Sequence, residues 1–232
     1  RWDLGIEVPI EKLPYYQKQI VEWCQKEWKI YVIATHLLET MIESPFPTRA
    51  EVSDIYNSVL EQADCIMLSW ETTTWKYPIE SVKMMTKVAQ ESEKNIKPKN
   101  IDFENWNVWK KAFQKKILVK NAISITENIK AKAMVIFTQY WFLPTMAAAY
   151  KPSVDIYAFT NNVHTYRFMN VLYAVKPVFL DKFSSNYTQN LEEAITDLKS
   201  KNIINSWDKI VVVWDKQENN KETPMIEIVE VE

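Results

Sequence analysis

The sequence predicts an α/β protein with parallel sheets. Along its 232 residues, short and fully apolar runs alternate with longer segments in which apolar residues recur at helical spacing. Fully apolar strands are typical of parallel sheets, because helices cover both faces of such a sheet. Strands of this kind that alternate with helices indicate repeated strand–helix units.

The first region of the chain, up to about residue 93, carries two of these apolar runs. A helix before the first run is predicted from the apolar stripe formed by Ile20, Val21 and Cys24. Residues 48–51 have the Ser/Thr-x-x-Glu spacing of a capping box, so another helix is predicted to begin there. The predicted elements are a helix over 11–28, strands at Ile30–Ala34 and Cys65–Leu68, a helix from residue 48, and a helix from Pro78 to about Glu93.

Residues 94–110 are polar with little periodicity, and they are the best candidate for a domain boundary. We expect domains at 1–98 and 99–232. Met225–Val231 has glutamates interspersed among apolar residues, which favours an edge strand with one face in water. Beyond the boundary, helices are predicted near 111–130, 143–150 and 190–201, and strands at Ala133–Phe137, Asp155–Phe159, Pro177–Leu180, Lys209–Val213 and Met225–Val231.

Composition argues against several classes of partner. The formal net charge is −2, which gives no electrostatic reason to expect nucleic acid or an anionic membrane as a partner. No apolar run approaches the roughly 20 residues that span a bilayer. The chain begins with neither Met nor a basic-then-apolar leader, so no signal peptide is expected. The two cysteines, Cys24 and Cys65, are expected to be reduced and buried.

Candidate chemical groups lie at predicted strand ends, where loops of α/β proteins carry reactive side chains. Asp3, Thr35 and Ser69 are all predicted at such ends on one face. A carboxylate there could hold Mg²⁺. A hydroxyl could donate to a developing oxyanion or join a proton path. The commoner roles of these residue types are structural, with Asp3 as a turn or cap residue and both hydroxyls as helix N-caps.

Four blocks of sequence carry a resemblance to a known family. Residues 1–7 resemble the Arg-Gly-Asp-Leu-Gly-Ile-Glu motif of pyruvate kinases, and residues 33–41 resemble the family's Ala-Thr-Gln-Met-Leu-Glu-Ser-Met stretch. Residues 47–54 match Pro-Thr-Arg-Ala-Glu-x-Ser-Asp, and residues 63–72 match Ala-Asp-x-x-Met-Leu-Ser-Gly-Glu-Thr. The second region is similar more loosely, over residues 138–141, 150–152 and 156–160.

The resemblance implies a fold and an activity. It implies an incomplete (β/α)8 TIM barrel, represented by its last strands and helices, followed by a three-layer α/β domain with a mostly parallel five-stranded sheet. The complete enzyme would transfer a phosphoryl group from phosphoenolpyruvate to ADP in the last step of glycolysis, as a cytoplasmic homotetramer. The family's Lys-x-Glu strand and K⁺ ligands would lie upstream of Arg1. The chain alone is therefore expected to be inactive, because phosphoryl transfer needs that charge neutralisation.

The resemblance also implies roles for individual residues. Asp3 would be a Mg²⁺ ligand, and the backbone amides of Trp2 and Asp3 would face the substrate. Thr35 would contact the substrate near the enolate, and Ser69 would take part in a proton relay. His36 replaces the Gln that is usual in the family.

In the second domain, Thr138 and Gln139 are what remains of the family's Thr-x-Ser-Gly effector loop. Tyr140 and Leu143 replace the later hydroxyls, and residues 215–221 lack a glycine-rich turn. We therefore expect no tight activation by a sugar bisphosphate.

Two other functions remain open. A non-catalytic α/β module that binds a small molecule or assembles a partner is expected if the gene encodes no upstream barrel. Another phosphoenolpyruvate-using barrel enzyme is disfavoured by residues 47–54.

Glycine usage is abnormal. The chain has one glycine and ten tryptophans, whereas average usage of about 7% would give roughly 16 glycines. Seven tryptophans stand where pyruvate kinases usually have glycine. One hypothesis is that UGA codons mean glycine in the host and were read here as tryptophan, and the alternative is genuine tryptophan. Indoles at such places are expected to be crowded or pushed into solvent. The seven are Trp2, Trp28, Trp70, Trp75, Trp141, Trp207 and Trp214.

Overall fold

The chain forms two compact units, residues 1–97 and 98–232, in a computed structural model. This division lies one residue before the boundary chosen from the sequence, in a stretch (97–109) that is outside the described residues. The structure describes residues 2–73, 76–96, 110–181, 183–184, 186–218 and 221–232.

The first unit pairs its two predicted strands in parallel, with Ile33 opposite Ile66. The first strand is two residues shorter than predicted, and the second is one residue shorter. The elements are α1 (Trp2–Glu7), a 3-10 turn (Ile10–Lys12), α2 (Leu13–Lys26), β1 (Val32–Ala34), a second 3-10 turn (Glu39–Ile42), α3 (Arg49–Leu60), β2 (Cys65–Met67), α4 (Trp70–Thr73) and α5 (Pro78–Glu93).

The core of this unit lies mainly between α3, α5 and the segment after β1. Leu37, Leu38 and Ile55 are fully buried there. The stripe predicted on α2 is only partly right, since Val21 is buried whereas Ile20 is 48% exposed. The buried face of α2 instead follows the four-residue step from Val21 to Gln25.

The predicted capping box at the start of α3 is confirmed. The Glu51 N–H donates to Thr48 Oγ1 at 3.3 Å, and the Thr48 N–H donates to Glu51 Oε2 at 2.7 Å. The second carboxylate oxygen of Glu51 accepts from the Thr40 N–H at 2.7 Å. Glu51 therefore joins the start of α3 to the second 3-10 turn.

We expect the stabilisation provided by Glu51 to depend on pH. Burial would raise the pKa of Glu51, but hydrogen bonds from Thr40 and Thr48 outweigh burial and lower it. The stabilisation should be complete above the carboxyl's unfolded pKa of about 4.3 and should disappear as the pH falls through the lower folded pKa. Glu51→Gln should lower the free energy of unfolding by about 1–2 kcal/mol at neutral pH.

Urea unfolding from about pH 7 to about pH 3 tests this expectation. The difference in free energy of unfolding between the unsubstituted chain and Glu51→Gln should become smaller as the pH falls. Glu93→Gln, at an exposed position in the last turn of α5, should show no narrowing. A Glu51→Gln difference that is constant over the whole range would contradict the assignment.

The second unit contains the mostly parallel five-stranded sheet that the sequence predicts. The strand order is β5-β4-β3-β6-β7, and only β7 runs antiparallel, at one edge. The elements are α6 (Lys110–Asn128), β3 (Ala133–Phe137), α7 (Phe142–Ala149), β4 (Ile156–Thr160), α8 (Val163–Met169), β5 (Val175–Phe179), α9 (Tyr187–Ser200), β6 (Lys209–Glu218) and β7 (Lys221–Glu230).

Helices cover both faces of the central strands, which gives three layers. Val135 on β3 packs in one core with Ala194 and Leu198 of α9. Met134 and Ile136 point to the other face, are equally buried, and lie on the side of α6. Among the described residues, no helix combines the length and apolarity needed to cross a membrane.

Several features of this unit were not predicted. Strand β6 ends five residues later than predicted, and β7 begins four residues earlier than predicted. The short helix α8 begins after Asn162, whose side chain accepts from the His164 and Thr165 N–H groups. Strand β5 begins two residues before Pro177, the residue at which the sequence placed its start. Proline is tolerated there because β5 is an edge strand, where a missing N–H costs no pairing.

Candidate functional site

The carboxyl ends of β1 and β2 lie side by side in the first unit. Ala34 is opposite Met67 in the parallel register, so the chain leaves both strands at one edge. Thr35 follows β1 directly, and Ser69 lies two residues beyond β2. The structure therefore brings these two hydroxyl residues to the same edge.

The backbone after β1 is strained. Thr35 and the exposed residue His36 have φ angles of 68° and 53°, in the left-handed region that a β-branched residue rarely adopts. The Thr35 hydroxyl donates to Ala34 O at 2.6 Å. The next two residues, Leu37 and Leu38, are fully buried, and this burial anchors the turn. Strain of this kind is concentrated at functional sites.

Glu71 holds the two strand-end loops together, and the sequence analysis did not identify it. Its side chain is 2% exposed. One carboxylate oxygen accepts from the Leu38 N–H at 3.2 Å, and the other accepts from the Ser69 N–H at 2.8 Å. The sequence signals were an acid shortly after a buried strand and its place in the family block at residues 63–72.

The placement of Asp3 after a strand end stays a prediction, since such a strand would lie before the residues described here. Asp3 lies in the first turn of α1, exposed to solvent. An acid is favoured there because the first helical N–H groups have no partner within the helix. Trp2 begins the same helix, but its side chain lies outside the described residues.

Asp3 is the described residue that the resemblance assigns to Mg²⁺. The described part of the chain has no group of three or more His, Cys, Asp or Glu side chains that could hold a metal ion. Mg²⁺ commonly binds only one or two protein carboxylates and takes its other ligands from water and substrate phosphate. Asp3 alone therefore fits as one ligand of a magnesium–substrate complex.

A second candidate site is a cavity of about 550 Å³ in the second unit. It opens where β3 ends and includes Thr138 and Gln139, the predicted effector-loop residues. The Thr138 hydroxyl donates to Tyr140 O and accepts from the Tyr140 N–H, and Gln139 O accepts from Thr165 Oγ1 at 2.9 Å. Both loop residues are thus engaged within the protein.

The charges on the cavity wall compensate each other. Lys115 Nζ lies 2.6 Å from Asp215 Oδ2, and both side chains are largely buried. Tyr187 stacks on Trp214 with ring centroids 3.8 Å apart. Burial, followed by its hydrogen bond to Glu227, raises the pKa of Tyr187, which therefore stays neutral. An acid paired with a lysine gives little attraction for a phosphate group. The segment predicted as the final loop (215–221) lies mostly in β6 and β7, and residues 216–222 have no described side chains.

Comparison with known proteins gives the same family for both units. Residues 1–82 match the family described as pyruvate kinase, barrel domain, and residues 116–229 match pyruvate kinase, alpha/beta domain. The chain is 35% identical to a pyruvate kinase of Borreliella burgdorferi, over 100% of this chain and 49% of the relative. It is 31% identical to a pyruvate kinase of Thermotoga maritima, over 91% of this chain and 44% of the relative.

A pyruvate kinase of Candida albicans is 34% identical, over 97% of this chain and 46% of the relative. The chain thus spans about half the length of the curated relatives it matches. The barrel-domain match contains β1 and β2, and the alpha/beta-domain match contains the five-stranded sheet. The chain belongs to the pyruvate kinase family.

Proposed function

We propose that this chain is part of an enzyme that transfers a phosphoryl group from phosphoenolpyruvate to ADP, forming pyruvate and ATP. The observation that carries the proposal is the edge where β1 and β2 end, with Thr35 and Ser69 in loops that buried Glu71 ties together. Active sites of α/β barrels are built from loops at this end of the strands.

Each residue has a defined task in this proposal. Asp3 holds Mg²⁺, which supplies charge neutralisation to the phosphate when bound. Thr35 donates a hydrogen bond to the enolate oxygen, for which its hydroxyl must rotate away from Ala34 O. Ser69 relays a proton to the enolate, with its loop fixed by Glu71. The K⁺ of the family would be held outside these 232 residues.

We further propose that the 232 residues alone lack turnover and require additional barrel strands. A sheet of two strands is marginally stable by itself. Both strands of the first unit also carry apolar residues in water, since Val32 is 49% exposed and Met67 is 45% exposed. Further strands would cover these residues and would supply the cation that stabilises the transferring phosphoryl group.

Pyruvate formation by the product of the complete reading frame tests the activity. Asp3→Asn should lower kcat/KM by about 10²- to 10⁴-fold, because it removes a ligand charge that neutralises the phosphate. Glu7→Gln is the matched control, since Glu7 is exposed at the other end of α1. Absence of pyruvate formation, or an Asp3→Asn variant equal to Glu7→Gln, would contradict the proposal.

The alternative function is a non-catalytic binding or assembly module. It predicts that the product of the complete reading frame binds a ligand without forming pyruvate, so the same assay distinguishes the two. The cavity in the second unit has the volume of a small-molecule site. The homotetramer and the cytoplasmic location stay proposals based on the family. The lack of tight sugar-bisphosphate activation stays a proposal based on the departures of Tyr140, Leu143 and residues 215–221 from the family's loops.

A further inference from the structure

The tryptophans at turns are not explained by the proposed function. The chain has ten tryptophans and a single glycine. Trp28 and Trp207 have φ angles of 55° and 74°, in the left-handed region. The single glycine, Gly5, lies inside α1 and outside that region, so it serves none of these turns. A bulky residue with positive φ is a true outlier, because its Cβ crowds the backbone.

Trp28 occupies the helix-ending position at which glycine is most common. Helix α2 ends at Lys26, and Glu27 is its C-cap. The Trp28 N–H then donates to Gln25 O at 3.2 Å, and the N–H of the next residue donates to Cys24 O at 2.8 Å. These two bonds define a Schellman motif whose left-handed residue is Trp28.

Trp207 occupies the third position of a four-residue turn. The Asp208 N–H donates to Asn205 O at 3.2 Å, which closes the turn, and a positive φ at the third position is the mark of type II. Glycine is the usual residue there. Hydrogen bonds from the Trp207 N–H to Val231 O and from the Val231 N–H to Asp208 O fix the turn against β7. The Trp207 side chain is 77% exposed, so packing does not offset the strain.

Positive φ by itself does not identify glycine in this chain. Seven other residues of the described chain also have positive φ, and four of them follow helices α3, α6, α7 and α9. Those four are Gln, Lys and Asn residues, whereas positive φ is a true outlier for a residue as bulky as tryptophan. The seven are Thr35, His36, Gln62, Lys130, Lys151, Ala174 and Asn202.

The structure also separates other tryptophans from these two. Trp23 lies within α2, where glycine would weaken the helix. Trp214 is absent from the positive-φ residues, stacks on Tyr187 and packs against the core of the second unit. Nothing in its conformation requires glycine. Trp75 lies outside the described residues.

We propose that the native residue at positions 28 and 207 is glycine, encoded by UGA codons that the host reads as glycine. The proposal rests on backbone conformation at two turns in different units and does not depend on the proposed enzymatic activity. It assigns glycine to those members of the tryptophan set whose turns exclude an indole.

Two measurements test the proposal. The first is the codon at positions 28 and 207, together with the mass of the corresponding peptides from the source cells. UGA codons and glycine masses are expected, and a UGG codon or a tryptophan mass at either position overturns the proposal.

The second measurement compares glycine with alanine at three positions by thermal unfolding of the full chain. At positions 28 and 207, the glycine variant should have an unfolding midpoint about 2–4 °C above that of the alanine variant, because only glycine is unstrained there. At position 23, in the helix interior, the order should reverse. Alanine equal to or better than glycine at positions 28 and 207 overturns the conformational basis of the proposal.

Discussion

Replacing Glu71 with alanine is expected to lower the free energy of unfolding of the first unit by about 3 kcal/mol. The side chain is almost fully buried, and each of its oxygens accepts a backbone N–H, from Leu38 and from Ser69. Alanine would leave the buried Leu38 N–H and the partly buried Ser69 N–H without this acceptor, which costs more than the bonds themselves contribute. Urea unfolding followed by tryptophan fluorescence measures the loss.

Two further variants make this expectation specific. Glu71→Gln keeps one acceptor oxygen and should recover about half of the loss. Glu93→Ala removes an exposed carboxylate at the end of α5 and should change stability by no more than about 0.5 kcal/mol. If Glu71→Ala were as mild as Glu93→Ala, Glu71 would not join the two loops.

Elements with strong local patterns were predictable from the sequence. Strand β3 has the predicted bounds. All five of its residues are apolar and buried, as is typical of a central strand in a parallel sheet. Strand β7 lies at an edge of the sheet, as the glutamates interspersed among its apolar residues predicted. The sequence pattern gave a wrong prediction where burial depends on long-range packing. Ile20 was predicted on the apolar stripe of α2, but a different face of the helix packs against the rest of the unit.

The candidate site was predictable only in part. Thr35 and Ser69 were found because they follow buried strands. Glu71 was missed because its burial depends on the Leu38 loop, 33 residues earlier in the chain, and no local pattern reports such a meeting. The strand end predicted before Asp3 stays a prediction, and the first turn of α1 gives this acid a stabilising environment.

Glycine shortage was visible in composition, but composition could not say which tryptophans are out of place. The backbone separates Trp28 and Trp207, which have positive φ, from Trp214, which does not and which packs against the core of the second unit. The expectation that indoles would be pushed into solvent is met at Trp207, Trp70 and Trp141, which are all exposed.

Replacing Lys115 with methionine is expected to lower the free energy of unfolding of the second unit by about 2–3 kcal/mol. Lys115 and Asp215 are 17% and 22% exposed, and their charged atoms lie 2.6 Å apart. Asp215 Oδ1 is buried and has no hydrogen-bond partner among the described residues. Loss of the lysine would therefore leave a largely buried carboxylate without its ion-pair partner. Urea unfolding of both single variants and of Lys115→Met/Asp215→Asn measures the coupling.

A second lysine–aspartate pair in the same unit provides the control. Asp197 lies on α9 and Lys201 directly follows that helix; their charged atoms are 2.7 Å apart, but the lysine side chain is 50% exposed. Lys201→Met should change stability by no more than about 0.5 kcal/mol, because solvent screens the exposed pair. The double variant should recover part of the Lys115→Met loss, since it removes the charge that the single variant leaves without its lysine. Equal effects of Lys115→Met and Lys201→Met would show that burial adds nothing to the Lys115–Asp215 pair.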